Sequence, residues 1–97
     1  MFGQPTLITA GTYSMQFNDS SLVCNATTTL TLLVAATYPG RHIYIKSGGA
    51  FTITSASSNV TLLAGTTGQT AIIGGAGAAN WVLQQSDGTN WITMMGA

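Results

Sequence analysis

Residues 28–34 read Thr28-Thr29-Leu30-Thr31-Leu32-Leu33-Val34. Taken with period two, they place Leu30, Leu32 and Val34 on one face and Thr29, Thr31 and Leu33 on the other, the spacing of a half-buried strand. Next comes Tyr38-Pro39-Gly40, a turn signal, because proline presets φ and glycine adopts positive φ without steric cost. Alternation resumes over 41–46, with Ile43 and Ile45 pointing one way and His42, Tyr44 and Lys46 the other. Ser47-Gly48-Gly49 turns the chain into Phe51-Thr52-Ile53-Thr54, and a polar stretch at 55–59 precedes Val60-Thr61-Leu62-Leu63. After Gly65-Thr66-Thr67-Gly68, the pair Ile72-Ile73 leads into Gly74-Gly75-Ala76-Gly77, and two last strands are expected over 81–85 and 90–95. No stretch carries a 3.6-residue apolar period with caps, so the fold is read as all-β.

The ends of the chain sharpen this reading. Asp87-Gly88, within Ser86-Asp87-Gly88-Thr89-Asn90-Trp91, is a hairpin signal, since both central positions of a type I′ turn need positive φ. Asp87 is thus expected to serve the turn rather than act as a general base. Trp81 and Trp91 sit at comparable places on the two arms, and each offers a large apolar ring with one N–H to satisfy, which suits a core margin or an interface. The segment 1–26 is less regular: Pro5 disfavours a central strand, and Thr6-Leu7-Ile8-Thr9 and Tyr13-Ser14-Met15-Gln16-Phe17 follow it. It reads as first strands or as an arm pairing with the sheet edge of a neighbour, ahead of a β domain at 27–97.

Composition narrows the function. A chain of 97 residues forms one domain and buries only about 60–65% of its unfolded surface. Just 4% of the residues are charged, with zero formal net charge and 45% hydrophobic content, so little electrostatic repulsion keeps copies apart. Association with itself or with a larger scaffold is therefore expected. Two cations, Arg41 and Lys46, cannot neutralise a phosphate backbone, so nucleic acid is not an expected partner. The apolar run Leu32-Leu33-Val34-Ala35-Ala36 is far shorter than the ~20 residues of a spanning helix, and the amino terminus lacks the charged start of a signal peptide, so no membrane insertion or export is expected. A single cysteine, Cys24, makes no internal disulfide and fits a reducing host cytoplasm.

Three segments in order, Gly40-Arg41-His42-Ile43-Tyr44-Ile45-Lys46, Phe51-Thr52-Ile53 and Ser86-Asp87-Gly88-Thr89-Asn90-Trp91-Ile92, resemble a β module of tailed-bacteriophage virion proteins. That module occurs in tail-fibre and head-fibre proteins and in small capsid decoration or cement proteins, and the resemblance spans residues 28–95. It implies an antiparallel β-sandwich or barrel of jelly-roll type that assembles as a homotrimer. Gly40 and Gly88 would be turn positions, with Pro39 and Asp87 beside them, Ile45 would be core and Lys46 surface, and Trp91 would be core or subunit contact. The chain departs from the fibre pattern in lacking a repetitive shaft and an evident attachment domain. The expectation is therefore a decoration protein on the outer capsid surface, bridging major capsid subunits and resisting internal genome pressure. Candidate contact residues are Phe2, Tyr13, Phe17, Tyr38, Tyr44, Trp81 and Trp91.

Other classes of function are weighed beside it. A carbohydrate- or receptor-binding module would stack a host-surface glycan on Trp81, Trp91, Tyr38 or Tyr44. Thr29-Leu30-Thr31 and Thr52-Ile53-Thr54 suggest an ice-binding ladder, but their spacing in the chain is irregular and threonine is an ordinary strand residue. A catalytic triad from His42, Asp19 or Asp87 and a serine has no nucleophile motif to locate it, so no enzyme and no cofactor is expected. Three copies of His42 on a trimer axis would be the conceivable metal site, and none is expected. Asn18-Asp19-Ser20, Asn25-Ala26-Thr27 and Asn59-Val60-Thr61 match the glycosylation sequon, a match that a chain this rich in serine and threonine produces by chance.

Overall fold

Short alternating segments separated by glycine, serine and proline turns give ten strands among the described residues, and the chain carries them back and forth between two sheets. The computed structural model describes residues 5–63, 65–74 and 81–96; Phe2 and the Gly75-Ala76-Gly77 run lie outside the described residues. The first sheet takes β1 (Thr6–Ile8), β3 (Ser21–Cys24) and β5 (His42–Ser47), and the second takes β2 (Thr12–Ser14), β4 (Thr28–Thr31) and β6 (Thr52–Ser55). Then β7 (Val60–Thr61), β9 (Trp81–Ser86) and β10 (Trp91–Gly96) complete a six-stranded sheet in the order β1-β3-β5-β9-β10-β7, while β8 (Ala71–Gly74) completes a four-stranded sheet in the order β2-β4-β6-β8. The described residues contain no helix.

The sheets are mixed, which corrects the antiparallel expectation. β1–β3, β3–β5, β2–β4, β4–β6 and β7–β10 pair parallel, and only β5–β9, β9–β10 and β6–β8 pair antiparallel. The cause is the route of the chain. From β1 to β6 the chain visits the other sheet between successive strands of one sheet and each strand returns in the same direction as the last, the crossover that parallel neighbours need. The segment from Thr6 to Cys24 is thereby built into both sheets of its own chain: Leu22 stands opposite Thr6 on one side and Ile45 on the other. These residues are first strands rather than a free arm.

Alternation puts every second side chain into one core. Ile8, Leu22, Cys24, Ile43, Ile45 and Val82 from the larger sheet meet Leu30, Ile53, Ile72 and Ile73 from the smaller, all in one buried cluster with Met15, Leu32, Ala35, Val60 and Trp91. Each such aliphatic side chain contributes ~1.5–3 kcal/mol when removed from water. The face predicted for 41–46 is observed, since β5 alternates exposed and buried from His42 to Ser47. Val34 is not where its spacing predicts, being 66% exposed. β4 ends at Thr31, and Val34 opens a bend in which its carbonyl accepts from the Thr37 N–H at 3.0 Å. Buried Cys24 has its thiol pKa pushed up, chiefly by desolvation, which keeps it protonated and inert.

The closing hairpin is longer than a two-residue I′ turn. Ser86 stands opposite Trp91, leaving 87–90 as the loop. Gly88 has φ 91°, and the Asp87 carboxylate accepts from the backbone N–H of Thr89 at 2.8 Å and of Asn90 at 2.7 Å. This Asx-type closure satisfies amides that the shorter turn would pair differently. Those bonds, Asn90 first and Thr89 second, hold the Asp87 pKa below its ordinary value.

Candidate functional site

Because strands β1, β3, β5 and β9 lie side by side, their outward residues form rows across the larger sheet. Leu7, Val23, Lys46 and Trp81 are opposite one another in one row, and Ser21, Tyr44, Leu83 and Met95 in the next. Tyr44 and Trp81 are diagonal neighbours, with ring centroids 6.4 Å apart and planes at 34°. A groove of about 470 Å³ opens on this face, lined by Pro5, Ser21, Leu22, Val23, Tyr44, Ile45, Lys46 and Trp81. Its walls are mostly apolar or aromatic, and Lys46 supplies the charge. A second hollow of about 350 Å³, bounded by β8 and β10 residues such as Ile72, Gly74, Thr93 and Gly96, has no charged or aromatic group among its described lining residues.

The other candidate side chains are placed apart from this groove, by identifiable forces. Trp91 is fully buried, its indole N–H donating to the Leu33 carbonyl at 2.8 Å. It takes the core alternative, and its ring is unavailable for a subunit contact or for stacking on a sugar, which corrects its place among the contact candidates. Ser86 fastens the same connector, donating through its hydroxyl to the Ala35 carbonyl at 2.7 Å. The Tyr38-Pro39-Gly40 turn packs against this hairpin: the Gly40 N–H donates to the Ser86 carbonyl at 2.8 Å, and Gly40 adopts φ 84°. Arg41 lies 6.0 Å from the Tyr38 ring centroid and donates to the Asp19 backbone carbonyl.

Tyr13 is engaged inside the chain. Its hydroxyl donates to Asp19 Oδ2 at 2.8 Å, while Oδ1 accepts from the Thr6 hydroxyl at 2.8 Å and Oδ2 also accepts from the Gln16 N–H at 2.8 Å. Burial, then the bond to Asp19 and the Asp19 charge, raise the Tyr13 pKa. This buried carboxylate ties β1 to β2, a role that no local pattern around Asp19 in the sequence discloses. Phe17 is 72% exposed on the β2–β3 connector, and Val34 stands out on the β4–β5 connector.

The threonines tell a related story. Thr12, Thr29 and Thr54 stand opposite one another on the smaller sheet, and Ser14 stands opposite Thr31. The irregular chain spacing thus conceals a row that parallel pairing aligns. His42 is exposed on β5, and the described residues hold no group of three or more metal-ligating side chains. Set against family models, curated proteins and solved structures, the chain has no match in any of the three comparisons.

Proposed function

We propose that this chain is a bacteriophage capsid decoration protein, a β-sandwich module that assembles as a homotrimer and seats on the outer head surface across neighbouring major capsid subunits. The observation that carries the reading is the pair of exposed apolar side chains, Phe17 on the β2–β3 connector and Val34 on the β4–β5 connector, two of the connectors that return from the smaller sheet to the larger. Both connectors run the same way between the same two sheets, so they present apolar groups along one side of the molecule, on a chain with only four charged residues. The resemblance of residues 28–95 to phage virion modules supports the same reading.

The mechanism is contact without chemistry. Apolar area is buried at ~25 cal/mol per Å², and a trimer repeats the contact three times, so that release of one subunit contact leaves the others to hold the effective concentration high. The test is co-sedimentation of labelled protein with expanded capsids of its own phage. Saturable binding that Phe17→Asp abolishes is expected, with light scattering giving three times the monomer mass. Absence of capsid binding by the unaltered protein overturns the reading.

A further inference from the structure

We propose that the groove on the outer face of the six-stranded sheet binds a carboxylate-bearing sugar, a uronic or sialic acid unit of a glycan, with the ring seated against Trp81 and Tyr44 and the carboxylate on Lys46. The site is independent of the capsid contacts above, which lie on the connectors.

Three features converge on this ligand. Tyr44 and Trp81 form a shallow aromatic corner, 6.4 Å between centroids and inclined at 34°, and Tyr44 is 51% exposed. An aromatic face desolvates the C–H face of a pyranose while leaving its hydroxyls at the rim in water, as suits a ring that is apolar on one side. The volume of about 470 Å³ falls within the ~300–1,000 Å³ of small-molecule sites, which join an apolar wall to a few polar groups. Ser21, opposite Tyr44 in the sheet, places a hydroxyl at this wall.

Charge decides between neutral and acidic sugars. Lys46 lies directly opposite Trp81 and in the same row as Val23, so its ammonium rises from the row that bears the indole. The chain has two acidic side chains, and both are committed elsewhere: Asp19 to Thr6, Tyr13 and Gln16, and Asp87 to the hairpin loop. Neither lines the groove. Lys46 is the charged group among the groove's described lining residues, and walls of low polarity around it strengthen its attraction for a carboxylate. A neutral sugar would gain the stacking and forgo this charge-assisted bond.

The test is NMR titration of the whole protein with trigalacturonate and 3′-sialyllactose, each compared with lactose. Expected are saturable shifts confined to Tyr44, Lys46, Trp81 and their sheet neighbours, with lactose at least about tenfold weaker than either acid. Lys46→Gln should weaken acid-sugar binding by about tenfold and leave lactose unchanged, and added salt should reproduce part of that loss. Lys46 is exposed, so the variant folds, and Lys46→Glu should remove binding of the acids altogether. Equal response to lactose, shifts centred away from the groove, or indifference to Lys46→Gln overturns the proposal. Tighter capture of hexaglutamate at the same resonances overturns it too, by assigning the groove to acidic peptides.

Discussion

The winding part of the chain, β1 to β6, and the closing part, β7 to β10, bury their strands in different ways. In the winding part each strand returns beside its predecessor after a visit to the opposite sheet, so the ladders are parallel and no hairpin fixes the register. What locks it is side-chain chemistry in the connectors, above all Asp19 holding Thr6, Tyr13 and the Gln16 N–H. In the closing part, β8 and β9 lie antiparallel against the last winding strands, β6 and β5, and cover their open edges. Register there is set by a four-residue loop and by Trp91, which is anchored to Leu33. The lesson is that each parallel stack leaves an edge that must be covered, and here one antiparallel strand covers each.

Removing Trp91 should have the largest effect. Trp91→Ala empties the centre of the closing part and frees the Leu33 carbonyl, a loss of ~3–5 kcal/mol, read by urea denaturation. Trp81→Ala, on the outer face, should lose much less, because Trp81 is only partly buried. The two tryptophans therefore also separate by emission, with Trp91 the bluer.

Next in size is Asp19→Ala, which leaves the Thr6 and Tyr13 hydroxyls and the Gln16 N–H without their acceptor, at ~1–3 kcal/mol. Hydrogen exchange should show β1 and β2 losing protection while β9 and β10 keep theirs. Equal loss in both parts would break the division drawn between them. Gly48→Ala is expected to be of similar size, since its Cβ would stand 1.8 Å from Asn25 Oδ1 and force that side chain aside, at ~1–3 kcal/mol. Asn25→Ala in the same molecule should restore part of the loss.

The smallest effects come from pH, and they address the two parts from opposite sides. Tyr13 has a raised pKa, so its contribution is complete below the unfolded tyrosine value, about 10, and is lost as pH rises through the folded value. Alkali should therefore loosen β1 and β2 first. Asp87 has a lowered pKa, so its contribution is present above the unfolded carboxylate value and is lost as pH falls through the folded one. Acid should perturb the Thr89 and Asn90 amides in the hairpin, and Asp87→Asn should remove that response. Both are read from NMR amide shifts.

The closing part was the more legible in the sequence. The strands around Trp81 and Trp91 and the turn at Asp87-Gly88 follow from local rules, and the loop is longer than those rules give because the Asp87 carboxylate stabilises four residues. The winding part was concealed by its spacing. Sixteen residues separate Thr6 from its partner Leu22, and 23 separate Leu22 from Ile45; on the other sheet the intervals are 17 from Thr12 to Thr29 and 25 from Thr29 to Thr54. Unequal connectors erase the repeat that would announce parallel stacking. Of the candidate site, Tyr44 was legible on the face it shares with His42 and Lys46, and Trp81 as a ring suited to a core margin or an interface. Their convergence with Lys46 was not, because it depends on the pairing of β5 with β9, which no local pattern specifies.

The proposed function and the proposed groove together place this chain on a phage head by its connector side, with the Tyr44–Trp81 groove turned outward. Cryo-electron microscopy of the virions that this proposal says carry the protein tests it most directly. The account predicts three-fold density on the outer shell, with Phe17 and Val34 against the capsid and the groove facing solvent. Density confined to the tail, or a groove pressed against the shell, would contradict it.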